Sequence, residues 1–228
     1  MPQAFARNCR TVVNNFNVEK VWREGGMWCV SNGQEVRRYT RLVSTMPIQE
    51  LIEALPDVPE DISAQARALR YNSITVVMLG FEDANPPPYT ALYVPETEYV
   101  FHRLSFPLNF TKNGAPPGHS AIMAEITTNP GDGVHELGDD AVIDRVVTEI
   151  GQIGLAEPAK LRFRAIHRAR YGYVVRTFGG AAALSTTLDY VTSLGIVSAG
   201  RNAEFEYINM DEAVRRGLAV AGTLNAES

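Results

Sequence analysis

The sequence contains only two cysteines, Cys9 and Cys29, among its 228 residues. Two thiols cannot form a disulfide framework, and they cannot supply the four ligands of a structural zinc site. The four histidines are scattered along the chain and show no metal-ligand spacing. The sequence therefore predicts no metal site. The low cysteine content is typical of a reducing compartment, so we expect a cytoplasmic protein.

Long apolar runs and excess positive charge are also missing. The longest apolar run, residues 74–81, is far shorter than the roughly 20 residues that span a bilayer. The first 15 residues lack the apolar core of a secretory signal, so we expect neither a leader nor a membrane span. The chain has 21 basic and 26 acidic residues and a formal net charge of -5, which argues against a nucleic-acid partner.

The pattern of apolar residues predicts a mixed α+β fold. From residue 16, alternating residues and an Asn32-Gly33 turn predict a small antiparallel meander, followed by a buried strand at residues 42–46. Antiparallel strands are predicted to dominate from about residue 65 to residue 175. Helical periodicity and helix-compatible composition predict helices at 48–56, 62–71, 139–154, 185–195 and 210–222.

Residues 195–222 are the most informative segment. An apolar strand, residues 196–199, leads into Gly200-Arg201, and a helix is predicted to open at residues 209–211. Asn209 is suited to the N-cap, and the free N–H groups of a helix start, together with the Arg201 guanidinium, can bind an anion. Two interpretations remain open at this point: a ligand site or an ordinary connection between a strand and a helix.

The same segment resembles a known family. The segment contains Gly200-Arg201-Asn202, Phe205, Tyr207, Asn209-Met210-Asp211 and Gly217. This set resembles the C-terminal flavin motif of the FAD-dependent amine-oxidase superfamily. That superfamily includes protoporphyrinogen-oxidase-like and UDP-galactopyranose-mutase-like proteins. Further similar motifs follow in the family's order: 42–47, 69–73, 101–104, 115–119, 124–127 and 171–173. The resemblance covers about residues 16 to 222.

The resemblance implies an antiparallel-sheet substrate domain, residues 57–189, and an incomplete flavin-binding layer of the amine-oxidase type, residues 16–56 and 190–224, after a loose lead-in at residues 1–15. It implies FAD as the cofactor, held by Gly200, Arg201, Asn209, Met210 and Asp211. It implies substrate contacts from His102, Arg103, Tyr171, Tyr173 and Arg176. No catalytic side chain is assigned, because the redox chemistry belongs to the flavin.

One family feature is missing from the sequence. The family holds the ADP half of FAD on a strand, a GxGxxG turn and a helix, and the 228 residues contain no such motif. We therefore expect either a partner chain that supplies this half or a lost cofactor site. The uncovered apolar face of an incomplete layer also predicts a homo-oligomer or a heteromer.

The leading hypothesis is the substrate-binding and flavin-capping part of an FAD-dependent oxidoreductase or a sugar-nucleotide-mutase-like enzyme, with a partner chain for the missing half. The alternative is a cofactor-free binding or interaction module derived from that fold. A basic run is either the solvated face of a strand or a patch for an anionic small molecule such as a sugar nucleotide; it comprises Arg162, Arg164, Arg168, Arg170 and Arg176.

Overall fold

The computed structural model describes residues 2–82 and 85–226 and has the α+β fold that the sequence predicts. The helices are α1 (Pro2–Ala6), α2 (Ile48–Ala54), α3 (Glu60–Ala68), α4 (Asp139–Gln152), α5 (Gly180–Ser193) and α6 (Met210–Ala226). The strands are β1 (Lys20–Glu24), β2 (Met27–Ser31), β3 (Val36–Tyr39), β4 (Leu42–Ser44), β5 (Arg70–Phe81), β6 (Ala91–Tyr93), β7 (Arg103–Ser105), β8 (Ser120–Thr128), β9 (Leu161–Val175) and β10 (Ile196–Ser198).

The chain divides into two compact units. The first runs to Arg70 and resumes at Arg176, and the second is Tyr71–Val175. Residues 57–70 and 176–189, which the sequence grouped with the substrate-binding domain, thus lie in the first unit, because α3 and α5 pack with its core. The lead-in contains one short helix, α1, before its irregular residues.

The first unit contains the predicted antiparallel meander. Strand β2 pairs with β1 on one side and with β3 on the other. The β2–β3 turn is closed by the Asn32 side chain, whose Oδ1 accepts hydrogen bonds from the backbone N–H groups of Gln34 and Glu35. Gly33 adopts a φ of 83° in this turn, a value that glycine tolerates without steric cost.

A second, parallel sheet completes the first unit. Strand β10 pairs with β4 in parallel, with Ile196 opposite Leu42. The sequence predicts that β4 is buried, yet Val43 is 38% exposed, because this sheet has only two strands within the described residues. The core beneath it draws on the meander, α2, α3, α5 and β10: Val21, Trp28, Leu51, Ala66, Val191 and Ile196.

The second unit is a five-stranded sheet in the order β6-β7-β8-β5-β9. Strand β8 pairs antiparallel with β7 and β5, as predicted for this part of the chain. Helix α4 packs one apolar face against the sheet, and its residues Val142, Ile143, Val146 and Ile150 share a core with Val77, Leu79, Leu104 and Ala124. The opposite face of the sheet carries the polar cluster described below.

Candidate functional site

An open, mostly apolar depression lies at the start of α6 in the first unit. It has a volume of about 1030 Å³ and is lined by Phe5, Arg201, Ile208, Asn209, Met210, Asp211, Ala213 and Val214. Four of the residues predicted to bind a cofactor therefore share one concave surface. The helix begins at Met210, directly after Asn209, whose carbonyl accepts the first helical hydrogen bond from Ala213 at 3.0 Å.

Gly200, the fifth predicted residue, lies two residues after the end of β10 and has a φ of 90°. This left-handed backbone turns the chain away from the strand and brings Arg201 to the depression. The guanidinium of Arg201 stacks over the Tyr207 ring, with 4.6 Å between the guanidinium carbon and the ring centroid, and it donates to the Ile208 carbonyl at 3.4 Å.

The loop between β10 and α6 is held by a network of ion pairs. Arg216 pairs with Glu204 at 3.0 Å, with Glu212 at 2.8 Å and with Glu206. Glu204 also accepts the Gly200 N–H at 2.5 Å. Arg216 therefore pairs with Glu204 and Glu206, the two carboxylates nearest to Arg201 in the sequence.

These contacts change the acidity of the first turn of α6. Hydrogen bonds from Arg215, and then from Arg216, lower the pKa of Glu212 to about 2. Its negative charge is compensated by these arginines at neutral pH. The first turn of α6 lines the depression, and it carries one exposed carboxylate there, Asp211. The first N–H groups of a helix have no acceptor within the helix.

A polar cluster in the second unit contains three of the predicted substrate residues. Arg103 on β7 forms an ion pair with Glu125 on β8, and Tyr173 on β9 donates to Glu125 at 3.2 Å. The His102 Nε2 atom lies 3.8 Å from the same carboxylate, and Nδ1 lies 3.4 Å from the Thr127 hydroxyl oxygen. Glu125 joins the three predicted residues, although no role was assigned to it from the sequence.

Glu125 had a detectable signal in the sequence. It is the one carboxylate in the otherwise apolar or hydroxyl-bearing strand 120–128. A charge in such a strand is expected to have a partner. Only the register of the sheet, which places Glu125 opposite Arg103, identifies that partner.

The cluster carries almost no net charge. Burial lowers the pKa of His102, and the nearby Glu125 carboxylate only partly offsets this effect, so the neutral imidazole dominates at pH 7. Burial works against the charge of Arg103, but hydrogen bonds with Tyr93 and Glu125 outweigh it and raise the pKa of the guanidinium. Arg103 and Glu125 therefore form a compensated pair beside a neutral histidine.

The two other predicted substrate residues lie outside this cluster of contacts. Tyr171 packs edge-on against Tyr71, with 5.0 Å between the ring centroids, and its ring lies 5.1 Å from the Arg170 guanidinium. Arg176 follows the end of β9, is exposed, and belongs to the first unit.

Three arginines of the basic run, Arg162, Arg164 and Arg168, are paired with carboxylates, which favours the solvated-face interpretation over an anionic-ligand patch. Arg162 pairs with Glu82, and Arg164 pairs with Asp140 and Asp144. Arg168 pairs with Asp139 at 2.9 Å and donates to two carbonyls of the loop before α4. Arg164 and Arg168 thus connect α4 and the loop before it to β9.

Two kinds of feature are absent from the described residues, 2–82 and 85–226. They contain no group of three or more His, Cys, Asp or Glu side chains that could hold a metal ion. Within the same residues, no helix combines the length and apolarity needed to cross a membrane.

Solved structures share this fold. A reduced UDP-galactopyranose mutase matches with a TM-score of 0.77 and 23% identity, over 88% of this chain and 44% of that chain. A protein assigned as a protoporphyrinogen oxidase from Exiguobacterium sp. 255-15 matches with a TM-score of 0.73 and 17% identity, over 93% and 47%. A redesigned putrescine oxidase matches with a TM-score of 0.68 and 14% identity, over 99% and 51%. The chain therefore spans about half the length of these proteins.

The family comparison covers nearly the whole sequence. No curated protein matched the chain. Residues 2–225 match the family model of the flavin containing amine oxidoreductases. The match includes both the depression at α6 and the polar cluster on the sheet. The chain belongs to the flavin containing amine oxidoreductase family.

Proposed function

We propose that this chain is the flavin-capping and substrate-binding part of an FAD-dependent oxidoreductase or mutase-like enzyme. The observation that carries the proposal is the convergence of Arg201, Asn209, Met210 and Asp211 on one open depression at the start of α6. The family membership supports FAD as the cofactor. When bound, the flavin would supply the electron-transfer chemistry.

The residues at the depression fit one end of an FAD molecule. Its apolar lining, which includes Ile208, Met210 and Val214, suits a flat aromatic ring. The helix N–H groups and dipole favour a negative charge, such as that of a reduced flavin. Arg201, held against Tyr207, is placed to bind a phosphate or a ribityl hydroxyl.

The ADP half of FAD has no corresponding cradle among the 228 residues, since they contain no GxGxxG motif. In this proposal the ADP-binding half lies outside these residues. As expected from the sequence, a partner chain would supply it. We therefore expect FAD to bind weakly to these residues alone.

The substrate in this proposal binds on the open face of the second unit, beside Arg103, Glu125 and Tyr173. There the compensated Arg103–Glu125 pair would orient polar groups of the substrate. The likeness to a UDP-galactopyranose mutase supports the expectation of an anionic substrate such as a sugar nucleotide, but the cluster itself favours an uncharged polar group of such a substrate, because Arg103 is already paired with Glu125. Arg162, Arg164 and Arg168 of β9 lend the anionic substrate no support, because they are paired with carboxylates.

In the first test, FAD is titrated into the full chain, and binding is monitored through the NMR signal of the Met210 methyl group. We expect a concentration-dependent shift at Met210. Arg201→Ala should weaken binding by about 1.5–3 kcal/mol, the range for a hydrogen bond to a charged group. Arg215→Ala is the matched control, because it removes the same charge from an arginine that does not line the depression.

Three outcomes would contradict parts of this proposal. Equal affinities in the two variants would remove Arg201 from the site. Tight, stoichiometric FAD binding by the chain alone would show that no outside cradle is needed. No shift at Met210 at any FAD concentration would favour the second candidate, a cofactor-free binding module, which the missing GxGxxG motif also supports.

A further inference from the structure

The sheet of the second unit has one face that α4 does not fill. Alternation along the strands places Val77, Leu79 and Ala124 in the core, where each is at most 1% exposed. The intervening residues point to the other face and are only half-buried: Val76, Met78, Gly80, Ala121, Met123 and Glu125. A surface of this kind can receive a ligand without any change in the core.

Part of this face is an apolar groove of about 560 Å³. Met78 and Met123, which are directly paired across β5 and β8, lie in its floor. Phe163, 58% exposed, lines one part, and the loop residues Pro116 and His119 line another. The volume falls within the usual range for small-molecule sites, and unbranched methionine side chains adapt readily to ligands of different shape.

The polar cluster lies next to the groove on the same face of the sheet. In the register of β7 and β8, Ser105 lies opposite Met123 and Arg103 lies opposite Glu125. The two pairs are separated by two residues along each strand, a distance of about 7 Å on the same face. A molecule lying in the groove can therefore extend a polar end to Arg103, Glu125 and Tyr173.

The hydrogen-bonding groups of the cluster indicate which kind of polar end can bind there. Arg103 and Tyr173 supply hydrogen-bond donors, and the Glu125 carboxylate supplies acceptors. A hydroxyl group can use both kinds of partner at once. An anionic head would approach Glu125 and a cationic head would approach Arg103, and either would compete with the existing ion pair.

We propose that this face binds a small amphipathic molecule, with an apolar body in the Met78–Met123–Phe163 groove and an uncharged, hydroxyl-bearing head at Arg103, Glu125 and Tyr173. The inference rests on the proposed function, because it names the substrate class for the substrate-binding face. It also assigns a role to the 115–119 loop, which now forms part of the groove.

The test uses three probes with the same alkyl chain: hexyl β-glucoside, hexyl sulfate and hexylammonium. Each is titrated into the full chain without flavin, and the methionine methyl signals are followed by NMR. We expect the glucoside to shift Met78 and Met123 while leaving Met210 unchanged. The two charged probes should bind at least about fivefold more weakly, because each head must compete with the Arg103–Glu125 ion pair for its partner.

Variants separate the groove from the cluster. Phe163→Ser should weaken glucoside binding about fivefold or more through lost apolar contact, whereas Phe110→Ser, a similarly exposed phenylalanine outside the groove lining, should not. Tyr173→Phe should weaken the glucoside about two- to tenfold, the value of one hydrogen bond, and leave the binding of hexane, which has no polar head, unchanged. This variant keeps the ring, so it tests the head contact even if Phe163→Ser fails to fold.

The outcomes are decisive in both directions. No shift at Met78 and Met123 with any probe would overturn the proposal, as would a charged probe that binds as tightly as the glucoside. Because the readout contains no flavin and Met210 reports separately on FAD, this inference and the proposed function can fail independently.

Discussion

The two compact units differ in how completely they bury their apolar side chains. In the second unit, Leu104, Phe106 and Val146 are fully buried between the sheet and α4. In the first unit, none of the α6 residues is buried, and Met210 and Leu218 are 71% and 70% exposed. The second unit therefore closes a core beneath its helix α4, whereas helix α6 of the first unit leaves apolar side chains exposed.

The predicted cofactor residues lie on the open surface of the first unit. Met210, Val214 and Leu218 are spaced by four residues and so share one face of α6. An apolar helix face of this kind usually contacts a partner or a ligand. The polar cluster of the second unit instead lies on a sheet whose other face is packed against α4.

The largest effect should come from emptying the closed core. Leu104→Ala should lower the free energy of unfolding by about 2–5 kcal/mol, because it leaves a cavity in a fully packed site. Leu218→Ala, on the exposed face of α6, should change it by less than about 0.5 kcal/mol. Urea denaturation followed by circular dichroism measures both. Similar losses in the two variants would show that α6 is as buried as β7 and would break the comparison.

A smaller effect on stability should come from replacing one glycine in each unit by alanine. A Cβ atom on Gly172 in β9 would clash with the Ile74 side chain and would lie 2.9 Å from the Asn72 carbonyl oxygen. Gly172→Ala should therefore destabilise the protein by about 1–3 kcal/mol.

Gly217 in α6 is the matched control, because a Cβ atom there meets nothing within 4 Å. Gly217→Ala should stabilise the protein by up to about 1 kcal/mol through helix propensity. The midpoints of thermal unfolding should shift in opposite directions. A loss of stability in Gly217→Ala would mean that α6 is packed against something at this position.

The smallest effect concerns two carboxylates whose pKa values are lowered by different partners. Arginines lower the pKa of Glu212 in the first unit. For Asp132 in the second unit, burial works in the opposite direction, but backbone N–H groups of His135, Asn129 and Val134 outweigh it and lower the pKa. We expect 1 M salt to raise the pKa of Glu212 more than that of Asp132, because salt screens exposed ion pairs most strongly.

The sign of the pH dependence follows from these directions. A lowered pKa stabilises the folded state above the ordinary carboxyl pKa, and this stabilisation is lost as the pH falls toward the folded value. For Glu212 the window runs from about pH 5 down to about pH 2. Carboxyl NMR titrations at low and high salt provide the measurement, and equal salt shifts at both residues would contradict the assignment of partners.

Local patterns were sufficient for most helices and strands. The alternation in residues 16–39 and the Asn32-Gly33 turn predicted the meander, and the spacing of Val142, Val146 and Ile150 predicted α4 with its buried face. These features depend on neighbours within a few residues, so the sequence contains their signal directly. The strand β4 was also predicted, but its partial exposure was not.

Long-range pairing decided the rest. The parallel contact of β4 with β10 joins residues about 150 positions apart, and no local pattern encodes such a pairing. The same is true of Glu125, whose partners Arg103 and Tyr173 come from two other strands, and of the β9 arginines, whose carboxylates lie on α4 and at Glu82.

The sequence by itself determined the fold class, the family motifs and the position of the helix start at Met210, because apolar periodicity and short motifs are local properties. Only the tertiary structure decided which charges are compensated and which faces stay open. Ion pairing and burial depend on distances between side chains remote in sequence, and those distances exist only once the sheets and helices have packed.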